Sequence, residues 1–160
     1  MGDFISLLLL LGIANGVPVL ATRVAGSRFN APVDGGLTLA DGRRLFGASK
    51  TIRGIAASVI VTSIAAHVLG FAWTVGFVLG AGAMVGDLAA SFVKRRVGLE
   101  IHGRAPGLDQ IPEAALPLLL LRGPLNLSWL SIVGLVAAFV VVELVLSRIL
   151  YTWGIRDRPY

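Results

Sequence analysis

An all-α integral membrane protein with five transmembrane helices is the architecture encoded in this chain, on three grounds. Hydrophobic residues make up 56% of its 160 residues and charged residues only 14%, with a mean hydropathy of +0.84; an ordinary soluble domain does not have that balance. The apolar residues gather into stretches near 4–20, 52–70, 71–93, 111–127 and 129–151, each near the roughly 20 residues that cross a bilayer. Thirteen of the fourteen Lys and Arg residues then fall on one side of a five-span path. That asymmetry sets orientation: N-terminus outside, C-terminus and the loops at 21–51 and 94–110 in the cytoplasm. The spans consume the chain, so residues 1–160 read as a single polytopic domain of the cell membrane.

The first stretch, Phe4–Leu20, has an apolar core with no Lys or Arg before it. It lacks the basic start of a signal peptide and reads as a retained span. Near its cytoplasmic end, Asn15, Gly16 and Pro18 form a break with a side-chain amide facing inward, suited to binding a substrate or to bonding a neighbouring helix. The second span is entered through Ser49, a plausible N-cap, with Lys50, Thr51 and Arg53 in the first turn. The fourth is short and carries Pro112, Glu113, Pro117 and Pro124. A re-entrant segment there would place Arg148, Arg156 and Arg158 outside, against the charge rule, so it is expected to span as a kinked helix. Only Arg122 lies on the outer side.

Composition also excludes chemistry. The chain has no cysteine, which rules out disulfides and thiolate ligands, and its two histidines, His67 and His102, are too few for a histidine-rich zinc site. The net charge of +5 could suggest nucleic acid, but the one-sided placement of the cations assigns them to membrane topology and anionic substrates instead.

The third span holds an aspartate, Asp87, inside the string GDLAASFVKRR. Charges at membrane depth are costly and usually face a packed or watery interior. At about 100° per residue, Gly80, Ala83, Asp87, Ser91 and Lys94 share one face. The small residues Gly80 and Ala83 let a neighbouring helix approach closely. Lys94 lies roughly 10 Å nearer the cytoplasm than Asp87, so the carboxylate sits close to the inner interface. A purely structural reading pairs Asp87 with Lys94 or Arg53 to lock helices together. Arg95 is close to the active face, whereas Arg96 points away from it and reads as an arginine snorkelling to lipid phosphates.

Beyond it, Pro106-Gly107 makes a turn just before Asp109. A turn there folds Asp109 back beside Asp87, and two carboxylates from different helices, completed by substrate phosphates, is how Mg²⁺ is usually held. Asp109 suits equally an N-terminal cap on the fourth helix. Glu113 either supports the site or merely lies in the first helical turn, and His102 reads as a solvated loop residue.

The first loop is long and glycine-rich, NAPVDGGLTLADGRRLFGASKTIRG (Asn30–Gly54). At its helix entry, exposed N–H groups, the dipole and two cations make an anion site, although the spacing is not that of a P-loop. Adhesion to anionic lipid heads explains Arg23 and Arg28; it explains less well the clustering of Gly47, Ser49, Lys50, Thr51 and Arg53. Asp34 and Asp41 sit in glycine turns, where turn formation and a substrate contact are both open.

Taken in order, NGVP (Asn15–Pro18), PVDGG (Pro32–Gly36), DGRRLFGASKTIRG (Asp41–Gly54), GDLAASFVKRR (Gly86–Arg96) and PGLDQ (Pro106–Gln110) resemble the CDP-archaeol synthase family over nearly the whole chain. GDL with its Ser and Lys-Arg also looks like a shortened signature of CDP-diacylglycerol synthases. The resemblance implies a five-span, Mg²⁺-dependent enzyme that transfers CMP from CTP to an isoprenoid glycerol phosphate on the cytoplasmic face. It assigns Asp87 and Asp109 to the metal, Lys50, Thr51 and Arg53 to phosphate, and Ser91, Lys94 and Arg95 to the SxxKR element. One departure is the run Ile111-Pro112-Glu113 after Asp109-Gln110, where archaeal members tend to read DQLD; with LFGASKT it looks like a bacterial branch. The expected site is therefore Asp87, Asp109, Lys94 and Lys50 for catalysis, with Asn15, Asp34, Thr51, Arg53, Ser91 and Arg95 contacting CTP or lipid phosphate. Two other functions compete: an ion- or proton-coupled transporter using Asp87, and a non-enzymatic lipid-binding protein.

Overall fold

Five helices carry most of the described residues, which in this computed structural model are 2–26, 28–98, 107 and 109–152. They are α1 (Gly2–Ala25), α2 (Ile52–Val68), α3 (Trp73–Arg96), α4 (Gln110–Leu120) and α5 (Trp129–Thr152). His102, Arg104, Pro106, Arg156 and Arg158 lie outside the described residues. Among the described residues, α1, α3 and α5 are long and apolar enough to cross a membrane.

The central helix is α3. It packs on α1, α2 and α4, and 56% of its most apolar window is buried, against 22% for α1 and for α5. Two glycine pairs on different faces make that packing close. Gly76 and Gly80 meet α2, where a Cβ on Gly76 would stand 2.5 Å from the Thr62 carbonyl oxygen. Gly82 and Gly86 meet α4, where a Cβ on Gly86 would stand 2.3 Å from the Pro112 carbonyl oxygen. Small residues four apart are what lets backbones touch where lipid removes any hydrophobic drive to pack. The expected close approach at Gly80 and Ala83 is observed: Gly80 abuts Val59 and Thr62, and Ala83 is fully buried.

These contacts also set helix direction. Gly54 of α2 meets Pro18 of α1, and Ser58 donates to the Ala14 carbonyl at 2.7 Å, so α1 and α2 are antiparallel. The contacts of Gly76 and Gly80 make α2 and α3 antiparallel, and those of Gly82 with Pro117 and Gly86 with Pro112 do the same for α3 and α4. Gly134 of α5 lies beside Phe4 of α1, so α5 begins where α1 begins. Leu7, Leu10 and Leu11 of α1, Leu79 of α3, Leu118 of α4 and Phe139 of α5 fill the core between them. At that end Arg122 lies 4.3 Å from the Trp129 ring centre, a cation–π pair joining the end of α4 to the start of α5.

The fourth helix differs from the expected 111–127. It ends at Leu120 and turns follow through Asn126. Its eleven residues rise only about 16 Å, roughly half a ~30 Å hydrocarbon core. The reason lies at its start: α4 begins level with Gly86, more than two turns inside the end of α3.

The described part of loop one from 28 to 51 is a structured piece. Leu39 N donates to the Arg43 carbonyl and Leu45 N to the Leu37 carbonyl, each at 3.0 Å, making a small hairpin around Gly42. Its base is tied to α2 through Val33 N to the Lys50 carbonyl at 2.8 Å and a bridge between Pro32 and Thr51. Helix α2 is capped by Thr51, whose hydroxyl accepts from Gly54 N at 3.1 Å. That corrects the expected Ser49 cap: the Gly47–Lys50 turn carries Ser49 past before the helix starts.

Candidate active site

Two lysine–carboxylate pairs lie where loop one, α3 and α4 meet. Lys50 Nζ is 2.6 Å from both Oδ1 and Oδ2 of Asp87. Lys94 Nζ is 2.6 Å from Oδ1 and 2.8 Å from Oδ2 of Asp109. Lys50 hydrogen-bonds both oxygens of Asp87, whereas Lys94 hydrogen-bonds only Oδ2 of Asp109; its Oδ1, though within ion-pair distance, is buried with no hydrogen-bond partner among the described residues. Glu113 is buried on α4 with Asp87, Lys50 and Asp109 as its charged neighbours. Three carboxylates and two ammonium groups therefore converge from three separate segments.

The helix contacts explain this convergence. Because Gly86 seats against Pro112 and Glu113, the start of α4 lies alongside Asp87. Asp109 takes the N-cap position of α4 but makes no side-chain cap hydrogen bond. The expected cap hydrogen bond is therefore absent, and the carboxylate pairs with Lys94. Gly107 N instead donates to Gln110 Oε1 at 2.8 Å. Asp87 does pair with a cation, but with Lys50 of loop one rather than with Lys94 or Arg53.

Other expected site residues divide. Ser91 is buried on α3 between Asp87 and Lys94, and Arg95 is buried at the end of the same helix. Arg53 donates through Nη1 to the carbonyls of Gly26 and Arg28. Its Nε and Nη2 are buried with no hydrogen-bond partner among the described residues. Thr51 is the cap already described. Asn15 Nδ2 donates to the Leu11 carbonyl at 3.2 Å within its own helix.

Asp34 is bonded within loop one. Its Oδ1 accepts from Gly36 N and from Arg44, and its Oδ2 from Phe46 N at 3.2 Å and Gly47 N at 3.0 Å. Those four donors match the four lone-pair positions of a carboxylate, so the acceptors are consumed inside the loop. Burial opposes its charge, but the Arg44 guanidinium and the three backbone N–H groups outweigh burial and hold it well below the usual carboxylate range. Asp41 accepts from Arg43 N at 3.1 Å, as a turn aspartate does.

Sequence reasoning missed the role of Arg96. It does not snorkel to lipid: it donates to Asp41 at 2.7 Å and to the carbonyls of Arg43 at 3.2 Å and Arg44 at 2.8 Å. Helical periodicity placed Arg96 off the Asp87 face but could not show that loop one covers the face it does occupy. The only signal was the matching run of Asp41, Arg43 and Arg44 in the loop.

A model of the CDP-archaeol synthase (CarS-like) family matches residues 4–160. The chain belongs to the CDP-archaeol synthase family. It is 32% identical over 160 residues to a CDP-archaeol synthase of Sulfolobus acidocaldarius, covering 95% of this chain and 98% of that protein. To one of Aeropyrum pernix it is 40% identical over 157 residues, covering 92% and 86%. A solved structure described as an intramembrane enzyme for archaeal membrane lipid biosynthesis aligns with a TM-score of 0.65 and 33% identity, over 86% of this chain and 90% of that one. Lys50, Asp87, Lys94 and Asp109 all lie within the matched residues. An all-helical membrane enzyme of that family is what the chain forms.

Proposed function

We propose that this membrane cytidylyltransferase transfers CMP from CTP to a glycerol-phosphate lipid, with the two lysine–carboxylate pairs as its reaction centre. A phosphate oxygen of the lipid attacks the α-phosphorus of CTP. The new P–O bond forms as the α–β P–O bond breaks, and pyrophosphate leaves with the electron pair. A lipid phosphate is already an anionic nucleophile, so no strong general base is needed.

The observation that carries this reading is that Asp87 and Asp109 each pair with an ammonium group at the meeting of α3 and α4. Hard oxygen donors that already pair with a cation suit Mg²⁺, and Asp87 and Asp109 would hold it, with substrate phosphates completing its shell; although Glu113 is near, no three carboxylates or histidines among the described residues are arranged to hold a metal ion by themselves. When bound, Mg²⁺ supplies charge neutralisation on the phosphates. Lys50 and Lys94, with Arg53 and Arg95, would stabilise the pyrophosphate as it leaves. The buried, unpartnered nitrogens of Arg53 support its share of that task. Ser91 lies between the pairs as a further phosphate contact. Thr51 and Asn15 act through helix geometry, and Asp34 acts by shaping loop one.

The chain crosses the cell membrane five times, with α4 and the turns after it making the fourth passage, and the reaction centre faces the cytoplasm. The antiparallel order of α1 to α4 and the cations gathered at the loop-one end support that placement. Residues 1–160 then form one domain.

The test is pyrophosphate release by purified protein in detergent given CTP, Mg²⁺ and a lipid phosphate, with isoprenoid-ether and diacyl substrates compared. Release that needs all three components is expected, with the ether substrate preferred. Absence of release with both lipids overturns the reading.

A further inference from the structure

Loop one delivers Lys50 to Asp87. Two arginines outside the reaction centre also join the loop to the end of α3. Arg96, at the end of α3, spreads its guanidinium over three acceptors of loop one: the Asp41 carboxylate at 2.7 Å, the Arg43 carbonyl at 3.2 Å and the Arg44 carbonyl at 2.8 Å. Phe92 supports it from below, with its ring centre 5.4 Å from the guanidinium carbon. Arg43 makes the return contact, donating from Nη1 to the Arg95 and Arg96 carbonyls at 3.1 Å each. Those carbonyls are among the last of α3 and lie at the negative end of its dipole, and that of Arg95 also accepts from Gly98 N at 3.3 Å.

Gly98 closes the arrangement. Its φ is +79°, and a Cβ there would stand 2.9 Å from both terminal nitrogens of Arg43. A side chain would meet the arginine and strain the backbone at once.

Resting on the reading of the site given above, we infer that Arg96 and Arg43 form a reciprocal clamp that fixes loop one on α3 and thereby positions Lys50 over Asp87. The loop transmits the constraint because it is internally braced. Its hairpin joins 37–39 to 43–45, and Asp34 ties Arg44, Phe46 and Gly47 together. Val33 ties its base to Lys50. Holding residues 41–44 on the end of α3 therefore holds residue 50. The contacts join segments 52 to 55 residues apart in sequence, so they act on tertiary placement rather than on the loop's own turns. Arg96 is a positioning residue: it acts through loop one.

Without the clamp, loop one spends part of its time with Lys50 displaced. Apparent affinity then falls by the fraction of competent molecules, while a saturating triphosphate restores the loop and the maximal rate. Lysine at 96 can keep the Asp41 pair but cannot fork to the two carbonyls.

The experiment compares Arg96→Ala, Arg96→Lys and Asp41→Asn. For Arg96→Ala the expected result is a CTP KM raised about tenfold with kcat within about twofold, and smaller KM increases for the other two. The chain has no cysteine, so a spin label on Leu37→Cys, an exposed loop-one position, reports loop mobility by itself. Arg96→Ala should sharpen its spectrum, and Arg96→Lys should do so less. An unchanged KM with an unchanged spectrum overturns the clamp, as does a raised KM with an immobile label, which would put Arg96 on the substrate. A fall in kcat at constant KM overturns it too. Should Arg96→Ala fail to fold, Asp41→Asn gives the same readings. A wild-type protein inactive toward CTP counts against the proposed reaction, while the label still tests the clamp.

Discussion

Lys50 and Asp87, 37 residues apart in the chain, meet with the ammonium nitrogen 2.6 Å from each carboxylate oxygen. The lysine comes from the end of loop one and the aspartate from the central helix, so the pair exists only when both are in register. Both side chains are mostly shielded, 23% and 18% exposed. A charge left there without its partner is held in a poor solvent for it.

That geometry sets the first expectation. Asp87→Asn keeps the shape of the side chain and removes its charge. CMP transfer should fall about 10³-fold or more, and Lys50→Met about 10²-fold, the range seen when one stabilising group is lost from a preorganised site. Pyrophosphate release checks both. Near-normal turnover in Asp87→Asn would sink the assignment, provided circular dichroism shows the helices intact.

Magnesium should stabilise the protein as well as activate it. At about a hundred times its Kd, a ligand that binds only the folded state adds about 2.7 kcal/mol. Thermal unfolding in detergent should therefore shift upward with Mg²⁺ for the wild type and not for Asp87→Asn. Removal of divalent ions by a chelator should abolish turnover, and added Mg²⁺ should restore it.

Packing between α3 and α4 gives a contrast between two glycines. A Cβ on Gly86 would meet the Pro112 carbonyl oxygen at 2.3 Å, whereas one on Gly12 meets nothing within 4 Å. Gly86→Ala should cost about 1–3 kcal/mol through overpacking and should lower activity, because α4 carries Asp109 and Glu113 beside Asp87. Gly12→Ala should be neutral or gain up to about 1 kcal/mol from helix propensity. Unfolding midpoints of the two variants decide; equal midpoints would refute the close contact.

Asp34 predicts how loop one responds to acid. Its carboxyl is held below the ordinary aspartate value of 3.8. A group with a depressed folded value contributes fully above the unfolded value and loses that contribution only as pH falls through the folded one. Hydrogen exchange at Gly36, Phe46 and Gly47, corrected for intrinsic rates, should thus show equal protection from neutral pH down to about pH 4. In Asp34→Asn, protection should fall about 30-fold, equivalent to about 2 kcal/mol for lost bonds to a charged acceptor. Protection that decays between pH 6 and 4, in the ordinary range of an exposed carboxylate or histidine, would overturn this account.

Much of the architecture was legible because it depends on local composition. Apolar run length placed α1, α2, α3 and α5 within a few residues, and a 100° period put Asp87, Ser91 and Lys94 on one face. The end of α4 was less legible. Prolines, a short apolar run and a following turn make the same pattern for a kinked span as for a short helix, and the contact of Gly86 with Pro112 decided where α4 begins. Arg96 was misjudged, and Asp34 left open between a turn and a substrate contact, for a related reason: an off-face arginine and a turn aspartate look ordinary until the loop is folded over them.

By itself, the sequence determined the helices, the side that carries the cations and the set of groups available for phosphate and metal chemistry. Only the tertiary structure decided the pairing: Lys50 with Asp87, Lys94 with Asp109, and Arg96 with the loop that brings Lys50 in. The physical reason is that periodicity reports direction around one helix axis. Which residues meet depends on the depth and rotation of one helix against another, and here glycine and proline contacts between distant segments set both.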